Sequence, residues 1–298
     1  MSSATFDDRD GLIWYDGKLV PWRDAKLHVL THALHYASSV FEGERVYSGK
    51  IFKLTEHSQR LAASATMMGI ELPYSVAQID SACREVCAAN SIIDGYVRPI
   101  AWRGSEMMGV SAQQSRIHLS IATWPWPSYF APEARLKGIR LKTAPWRRPS
   151  PDCAPVKAKA AGLYMICTLS KHAAEREGYE DSLMLDWRGR VAEATGANIF
   201  FTFGDGKLHT PTPDCFLDGI TRRTVIDLAR KRGLEVIERA IMPDELGRAR
   251  EVFLTGTAAE VTPVGVIDEY AYAPGEITRT LMNDYEKAVG KEPVSAVA

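Results

Sequence analysis

The segment Thr123–Pro132 reads TWPWPSYFAP and divides this chain of 298 residues into two parts. Three of its ten residues are proline. Because proline lacks a backbone N–H and has a fixed φ angle, we expect neither a regular helix nor a central strand here. We therefore interpret residues 123–134 as a linker between two domains, 1–122 and 135–298. Its aromatic side chains are expected to line any cleft that the domains form.

The residues before the linker alternate between hairpin and helix patterns. Ile13–Tyr15 and Lys18–Val20 flank an Asp-Gly pair, which is a strong signal for a two-residue hairpin. Thr55 and Ser75 each precede a stretch with apolar residues at helical spacing, so both are expected to cap helices. Residues 117–122 are predicted to form a strand. These patterns together predict a small α+β domain.

The residues after the linker repeat this mixture of elements. Residues 163–176 and 221–231 are predicted to be helical, and residues 182–186 and 251–255 are predicted to be strands. The chain is therefore expected to be of the mixed α/β (α+β) class, with a small N-terminal domain and a larger C-terminal one.

Composition excludes several classes of protein. Lys and Arg number 36 and Asp and Glu number 37, which gives a formal net charge of −1. A nucleic-acid partner is not expected, because phosphate binding needs a surplus of Lys and Arg. The five irregularly spaced cysteines predict no disulfide framework, and no apolar run is long enough to predict a membrane span. Since the N-terminus is also unlike a signal peptide, we expect a cytoplasmic protein.

A helix start in the second half could bind an anion. In the stretch Leu217–Arg223, Gly219 permits a tight turn and Thr221 can cap the helix that follows. The first amides of a helix are unpaired and lie at the positive end of its dipole, which suits a phosphate. An ordinary capped helix start explains the same residues.

Two further segments place charged residues among small and apolar ones. Lys157 and Lys159 lie among Ala, Val and Gly, where a buried lysine becomes a nucleophilic amine and an exposed one extends to solvent. Glu193 lies among Val, Ala and Gly just before a predicted strand. If it is buried it needs a partner, for which a protonated pyridine nitrogen would serve, and otherwise it is a loop residue.

A histidine trio offers a competing, non-catalytic interpretation. His28, His32 and His35 would align on one face of a helix and could bind a metal. No carboxylate ligand accompanies them, so core or interface histidines are the favoured interpretation. The sequence contains neither a dinucleotide-binding glycine motif nor a P-loop.

Taken in order, eight motifs give the chain a specific resemblance. It resembles the class IV aminotransferases that use pyridoxal 5′-phosphate, and within them the branched-chain amino-acid aminotransferases, from Trp14 to about Pro263. The motifs are HALHY (32–36), FEGER (41–45), EHSQRL (56–61), GYVRP (95–99), KAAGLY (159–164), EATGAN (193–198), GITR (219–222) and TGTAAEVTP (255–263).

The resemblance implies cofactor roles. Lys159, rather than Lys157, would hold the cofactor as a Schiff base and act as the general base. Glu193 would keep the pyridine nitrogen protonated, and Tyr164 would bond the phenolic oxygen. The phosphate would be held by a larger set, consisting of Arg60, the amides of Ile220 and Thr221, and the Thr257 hydroxyl.

The resemblance also implies that both substrates share one pocket, in which a few polar groups within apolar walls bind the charged substrate. The α-carboxylate site would consist of Tyr96 and the amides of Thr257 and Ala258. The distal carboxylate of glutamate would be accepted by Arg98 and by Tyr36 from a second subunit. The apolar walls would be Phe41, Trp126 and Tyr129.

Several residues depart from the family pattern. Glu44 stands where family members usually carry an apolar residue. Ala161 and Leu163 replace a common Gly and Asn, and Ala194 and Ala197 replace a common Gly and Glu. These departures bear on the choice of substrate more than on cofactor use.

The resemblance implies a fold-type IV enzyme with a small α+β domain, a larger pseudo-barrel domain and the cofactor in the cleft between them. The implied reaction is transfer of the amino group of leucine, isoleucine or valine to 2-oxoglutarate, by a ping-pong route through pyridoxamine phosphate. A homodimer or a higher homo-oligomer is expected. The alternatives within the same fold are a D-amino-acid or (R)-amine transaminase and an aminodeoxychorismate lyase.

Overall fold

The computed structural model describes residues 5–126 and 137–291. The chain forms two compact units, of which the first comprises Met1–Pro127 with Ala158–Gly162 and the second Ser128–Lys157 with Leu163–Ala298. The short segment at 158–162 belongs to the first unit because its backbone bonds there. The Phe41 amide donates to the Lys159 carbonyl at 3.1 Å, and Val40 forms a β-bridge with Ala160. The boundaries proposed from the sequence stay a prediction.

A seven-stranded antiparallel sheet forms the frame of the first unit. Its strand order is β2-β1-β7-β6-β4-β5, and β3 pairs with β6. The strands are β1 (Leu12–Tyr15), β2 (Lys18–Pro21), β3 (Ser39–Phe41), β4 (Glu44–Tyr47), β5 (Lys50–Ile51), β6 (Gly95–Arg103) and β7 (Ile117–Pro125). The helices are α1 (His32–Tyr36), α2 (Leu54–Met67) and α3 (Val76–Ala89). Helix α3 packs on α2 and on β1, β6 and β7.

The local patterns in this unit were predicted with mixed success. The hairpin is confirmed, since β1 and β2 pair around the Asp-Gly turn. The Ser75 cap is confirmed by a capping box with Gln78. The Thr55 cap is wrong, because α2 begins after Lys53 and the Thr55 hydroxyl instead donates to Asp80 at 2.6 Å. The Thr55 hydroxyl, which local spacing predicts to cap the helix, is thus bonded to the distant carboxylate of Asp80 instead.

Strand β7 runs further than the prolines suggested. Thr123–Pro125 continue the strand, with Trp124 opposite Tyr96 and Pro125 opposite Gly95. Pro125 is tolerated because it is the last residue of β7, where the neighbouring strand β1 no longer pairs with it. The prediction that the strand stops before Thr123 is therefore wrong. Tyr129 lies outside the described residues.

The second unit is built on a nine-stranded mixed sheet in the order β10-β9-β8-β15-β14-β11-β12-β13, with β16 on β15. A further pairing of β10 with β11 closes six of these strands into a barrel. The strands are β8 (Ile139–Thr143), β9 (Asp181–Leu185), β10 (Val191–Ala194), β11 (Asn198–Thr202), β12 (Leu208–Pro211), β13 (Val236–Arg239), β14 (Glu251–Gly256), β15 (Glu260–Ile267) and β16 (Tyr270–Ala271). The helices are α4 (Met165–Arg176), α5 (Ile220–Lys231) and α6 (Glu276–Ala288).

Both faces of the central strands β11 and β14 are buried. On one face, Ile199 and Leu254 join the large apolar cluster of this unit. On the other, the rings of Phe200 and Phe253 stack with centroids 5.1 Å apart. Helices α5 and α6 pack against β14. The alternation of side chains along these strands thus serves two apolar layers. Within the described residues, every helix is too short or too polar to cross a bilayer.

Candidate active site

The carboxylate of Glu42 is the centre of a buried ion network in the first unit. Its side chain is 0% exposed and receives Arg60 Nε at 2.6 Å, Arg60 Nη2 at 2.8 Å and His57 Nδ1 at 2.8 Å. Burial by itself would raise the pKa of Glu42, but Arg60 and His57 hold it well below its usual range. Burial lowers the pKa of His57, and the bond to Glu42 opposes that shift. Glu42 therefore holds Arg60 in a fixed, two-point pair.

Arg60 lies on helix α2 and is only slightly exposed. Glu42 accepts one N–H from Nε and one from Nη2, which fixes the plane of the guanidinium. A largely buried guanidinium held in one orientation suits an anionic ligand. The sequence-predicted phosphate role of Arg60 is compatible with this geometry.

Lys159 is positioned by backbone bonds to the same part of the unit. Its amide donates to Ser64 Oγ at 2.9 Å, and its Nζ lies 4.8 Å from the centre of the Phe41 ring. Burial, and secondarily the charge of Arg60, lower the pKa of its amine to about 8. The neighbouring Lys157 is exposed. The two lysines that composition could not separate are thus in different environments, and that of Lys159 favours a nucleophilic amine.

Four predicted substrate residues lie together in this unit. Arg98 Nη2 donates to the Tyr96 hydroxyl at 3.4 Å, and its guanidinium lies 5.0 Å from the Phe41 ring centre. The Trp126 ring lies 5.5 Å from that of Tyr96. Tyr96 and Arg98 share a face because they are two residues apart on β6. The Tyr96 hydroxyl and the Arg98 guanidinium are thus bonded to each other beside the rings of Phe41 and Trp126.

Arg45, in the motif FEGER, is a further candidate site residue, for which the sequence predicted no role. It lies on β4 directly opposite Tyr96, and it is buried. Its Nη2 donates to the Trp126 carbonyl at 3.4 Å, while Nε and Nη1 have no hydrogen-bond partner among residues 5–126 and 137–291. A buried cation with unpaired donors suits an anionic ligand. The signal in the sequence was an arginine inside a strand of otherwise core character.

Gly43 is required by the close approach of Tyr96. A Cβ atom at position 43 would lie 1.8 Å from the Tyr96 hydroxyl oxygen. No side chain larger than hydrogen fits there without moving the tyrosine. The glycine therefore sets where the hydroxyl lies.

Glu193 is the corresponding buried carboxylate of the second unit. It lies in strand β10, is 8% exposed and lies 3.3 Å from Arg148 Nε. The amide of Asn198 also donates to it at 3.3 Å. The interpretation of Glu193 as an exposed loop residue is wrong, because the strand carries it into the interior beside a buried arginine. Arg148 was not singled out from the sequence, since it is 45 positions away along the chain.

Asn198 connects Glu193 to the start of helix α5. Its side chain donates to the Leu217 carbonyl at 2.9 Å and accepts from the Gly219 amide at 3.2 Å. No side chain caps α5, and Thr221 is buried within the helix. The predicted Thr221 cap is therefore wrong. The uncapped start of a twelve-residue helix is consistent with the anion site proposed there.

The remaining predicted residues are placed as follows. Tyr164 ends a short 3₁₀ turn and precedes α4. Thr257 and Ala258 lie, partly buried, in the turn that joins β14 to β15. Tyr36 stacks on His32 at 4.6 Å and is 44% exposed.

The histidine trio does not converge in the structure. The buried ring of His32 bonds to Ser38 Oγ at 2.7 Å and to the Gly109 carbonyl at 3.0 Å. His28 and His35 are exposed and bond to nearby backbone. The groups that could hold a metal within the described part of the chain do not include these histidines. The metal-binding alternative is therefore not supported.

The candidate residues fall into two sets. The first unit contains Tyr36, Phe41, Arg60, Tyr96, Arg98, Trp126 and Lys159. The second unit contains Tyr164, Glu193, Ile220, Thr221, Thr257 and Ala258.

The lowered pKa of Lys159 predicts how its amine reacts. In the protein freed of cofactor, trapping of pyridoxal by borohydride at Lys159 should rise with a midpoint near pH 8, because only the neutral amine reacts. An ordinary lysine would require a pH about two units higher. Arg60→Gln should raise the midpoint, since it removes a positive charge that disfavours the ammonium form. Peptide mass spectrometry across a pH series measures the labelling.

Two variants control this experiment. Lys157→Ala should leave both the extent and the midpoint of labelling unchanged, whereas Lys159→Ala should abolish it. Labelling that persists in Lys159→Ala and maps to Lys157 would contradict the assignment.

Comparison with known proteins places the chain in a family. The family described as Amino-transferase class IV matches residues 39–267. A branched-chain-amino-acid aminotransferase of Pseudomonas aeruginosa is 41% identical over 285 residues, covering 93% of this chain and 92% of the relative. Two solved structures of branched-chain amino acid aminotransferases are also similar, one from Escherichia coli and one from Thermobaculum terrenum in its PLP-form.

The Escherichia coli structure is 36% identical with a TM-score of 0.91, covering 97% of this chain and 98% of that chain. The Thermobaculum terrenum structure is 32% identical with a TM-score of 0.86, covering 95% of each. The shared fold confirms the fold-type IV class predicted from the sequence. Since the family match spans well over half of its length, this chain belongs to the class IV aminotransferases.

Proposed function

We propose that this protein is a pyridoxal 5′-phosphate-dependent aminotransferase that moves the amino group of leucine, isoleucine or valine to 2-oxoglutarate. The observation that carries the proposal is the group formed by Lys159, Arg60, Tyr96 and Arg98, in which an amine of lowered pKa lies beside cations that suit carboxylate and phosphate. The names of the relatives at about 40% identity support the same substrate class. The D-amino-acid, (R)-amine and lyase alternatives are not favoured.

The residues present fit the cofactor. The uncapped start of α5 supplies the amides of Ile220 and Thr221 for the phosphate, and Arg60 supplies a cation that is already oriented. The buried Glu193, with Arg148 beside it, offers a carboxylate for the pyridine nitrogen. Thr257 would add a hydroxyl to the phosphate, and Tyr164 a hydrogen bond to the phenolic oxygen. When bound, pyridoxal phosphate supplies a ring that accepts electrons from the substrate Cα.

The protein's own groups then handle protons and charge. With the cofactor bound, Lys159 Nζ, whose pKa of about 8 is near neutrality, would be the base that takes the proton from the substrate Cα. The Glu193 carboxyl group lies 3.3 Å from Arg148 Nε, so a buried cation faces it. A carboxylate at this buried position would keep the ring nitrogen of the bound cofactor protonated.

The substrate pocket has to accept both a branched apolar side chain and the distal carboxylate of glutamate. We assign the α-carboxylate to Tyr96 and to the unpaired donors of Arg45, with the amides of Thr257 and Ala258. Arg98 binds the distal carboxylate of glutamate, aided by Tyr36 of a second subunit. Phe41 and Trp126 line the side where a branched chain packs, and the resemblance adds Tyr129 to them.

A homodimer fits the exposed apolar residues around α1. Leu27, Val29, Leu30, Leu34 and Tyr36 are all exposed within ten residues of sequence. A cluster of large apolar side chains at one surface is typical of a protein interface. A second copy of the chain covering this segment would also supply Tyr36. We further propose a cytoplasmic location, where the five free cysteines stay reduced.

Steady-state kinetics test the substrate proposal. The ratio kcat/KM with 2-oxoglutarate as acceptor should be higher for L-leucine than for D-alanine, because the pocket pairs aromatic walls with Arg45 and Tyr96 on one side. The visible spectrum of the purified protein reports the bound cofactor separately. A preference for D-alanine with the cofactor spectrum intact would contradict the substrate and leave the cofactor proposal standing.

The close approach of Gly43 and Tyr96 yields a second kinetic prediction. Gly43→Ala should lower kcat/KM on the order of 100-fold, because the added methyl displaces the Tyr96 hydroxyl. If the loss acts through that hydroxyl, the double variant with Tyr96→Phe loses less than the product of the two single losses. Losses that multiply independently would contradict this explanation.

A further inference from the structure

Glu44 is a buried carboxyl group to which the proposed mechanism gives no role. It lies at the start of β4, two residues after Glu42, and its side chain is 0% exposed. Neither of its carboxyl oxygens has a hydrogen-bond partner among residues 5–126 and 137–291. Because side chains alternate along a strand, Glu44 is on the opposite side of β4 from Arg45.

The charges around Glu44 are mostly of its own sign. Glu42 from the preceding loop and Asp80 from helix α3 both act on it, and Arg60 from α2 opposes them. Arg84 on α3 is mostly exposed and lies 3.9 Å from Asp80. Arg60, however, already gives Nε and Nη2 to Glu42. Asp80 is also buried, and its Oδ1 has no hydrogen-bond partner among the described residues.

The other titratable neighbours of Glu44 do not neutralise it. The thiols of Cys83 and Cys87 on α3 are buried, and burial raises the pKa of each. His57 on α2 is bonded to Glu42. An ionised Glu44 would therefore be a buried anion without hydrogen bonds, beside two other carboxylates. Burial first, then Glu42 and Asp80, raise the pKa of Glu44 well above its usual range.

We propose that Glu44 is a positioning residue that stays a neutral carboxylic acid in the folded protein and thereby keeps Arg60 committed to Glu42 and to the cofactor phosphate. If Glu44 loses its proton, a second carboxylate competes with Glu42 for the guanidinium of Arg60. Arg60 would then be drawn from the orientation that the two-point pair imposes. The role in phosphate binding rests on the proposed function, whereas the neutrality of Glu44 does not.

The direction of the pH dependence follows from linkage. In the unfolded chain Glu44 ionises at the usual pH of a glutamate, about 4.3. The folded protein retains the proton to a higher pH, so Glu44 disfavours folding increasingly as pH rises through that window. Above the pH at which the folded protein releases the proton, this effect is constant and the phosphate site is weakened instead.

The first measurement concerns the proton itself. Infrared difference spectra between the wild type and Glu44→Gln at neutral pH should show the carbonyl band of a protonated carboxylic acid in the wild type only. The control is Glu85→Gln, which removes a carboxylate from an exposed position on the same helix as Asp80. A wild type that differs from Glu44→Gln only in ionised carboxylate bands would overturn the proposal.

The second measurement concerns the phosphate. Above the pH at which the band disappears, the dissociation constant of pyridoxal 5′-phosphate should rise by up to tenfold per pH unit in the wild type and in Glu85→Gln. In Glu44→Gln that rise should be absent, and binding of pyridoxal, which lacks the phosphate, should be the same in all three proteins. If Glu44→Gln is poorly folded, Glu44→Leu provides the same comparison with an apolar residue.

The outcomes separate the proposal from the proposed function. A protonated band together with parallel loss of pyridoxal 5′-phosphate in the wild type and Glu44→Gln would overturn the positioning role. A wild type that binds no pyridoxal 5′-phosphate at any pH would contradict the proposed function, while the infrared result would still decide whether Glu44 is neutral.

Discussion

The buried pair between Glu42 and Arg60 is the interaction on which the candidate residues of the first unit depend. Glu42 lies in the connection from β3 to β4, and its amide donates to the Pro99 carbonyl of β6 at 2.8 Å. Its position therefore fixes the positions of Gly43 and Arg45, which face Tyr96. A buried ion pair contributes little net stability, but removal of one partner costs about 3–5 kcal/mol. The pair is therefore better explained by the orientation that it gives to Arg60 than by a contribution to the free energy of unfolding.

The second unit also holds a buried carboxylate beside an arginine, with different residues. Glu193 and Asn198 are the residues that face each other where β10 pairs with β11 and closes the barrel. Asn198 then reaches the start of α5 through the Gly219 amide, and Arg148 lies against Glu193. The strand pairing that closes the barrel therefore also places the Glu193 carboxylate. In both units a buried carboxylate is held by an arginine that is distant along the chain.

The sequence predicted what local patterns determine. The Asp-Gly hairpin and the Ser75 cap depend on residues within a few positions of each other, and both are found. Long-range contacts were not predictable in this way. The bond of Thr55 to Asp80 replaced an expected cap, and the contact between Arg148 and Glu193 joins residues with no pattern in common. Motifs quoted for the family supplied the candidate residues, whose individual roles stay predictions.

The ratio of two binding constants tests most directly whether Glu42 serves the phosphate through Arg60. The constants are those of pyridoxal 5′-phosphate and of pyridoxal, measured by equilibrium titration in the wild type and in Glu42→Gln, with folding checked by circular dichroism. We expect Glu42→Gln to weaken pyridoxal 5′-phosphate at least about tenfold more than pyridoxal, because charge-assisted pairing of Arg60 is lost. Arg60→Gln should change the ratio in the same direction. Equal weakening of both ligands, or none of either, would contradict the account.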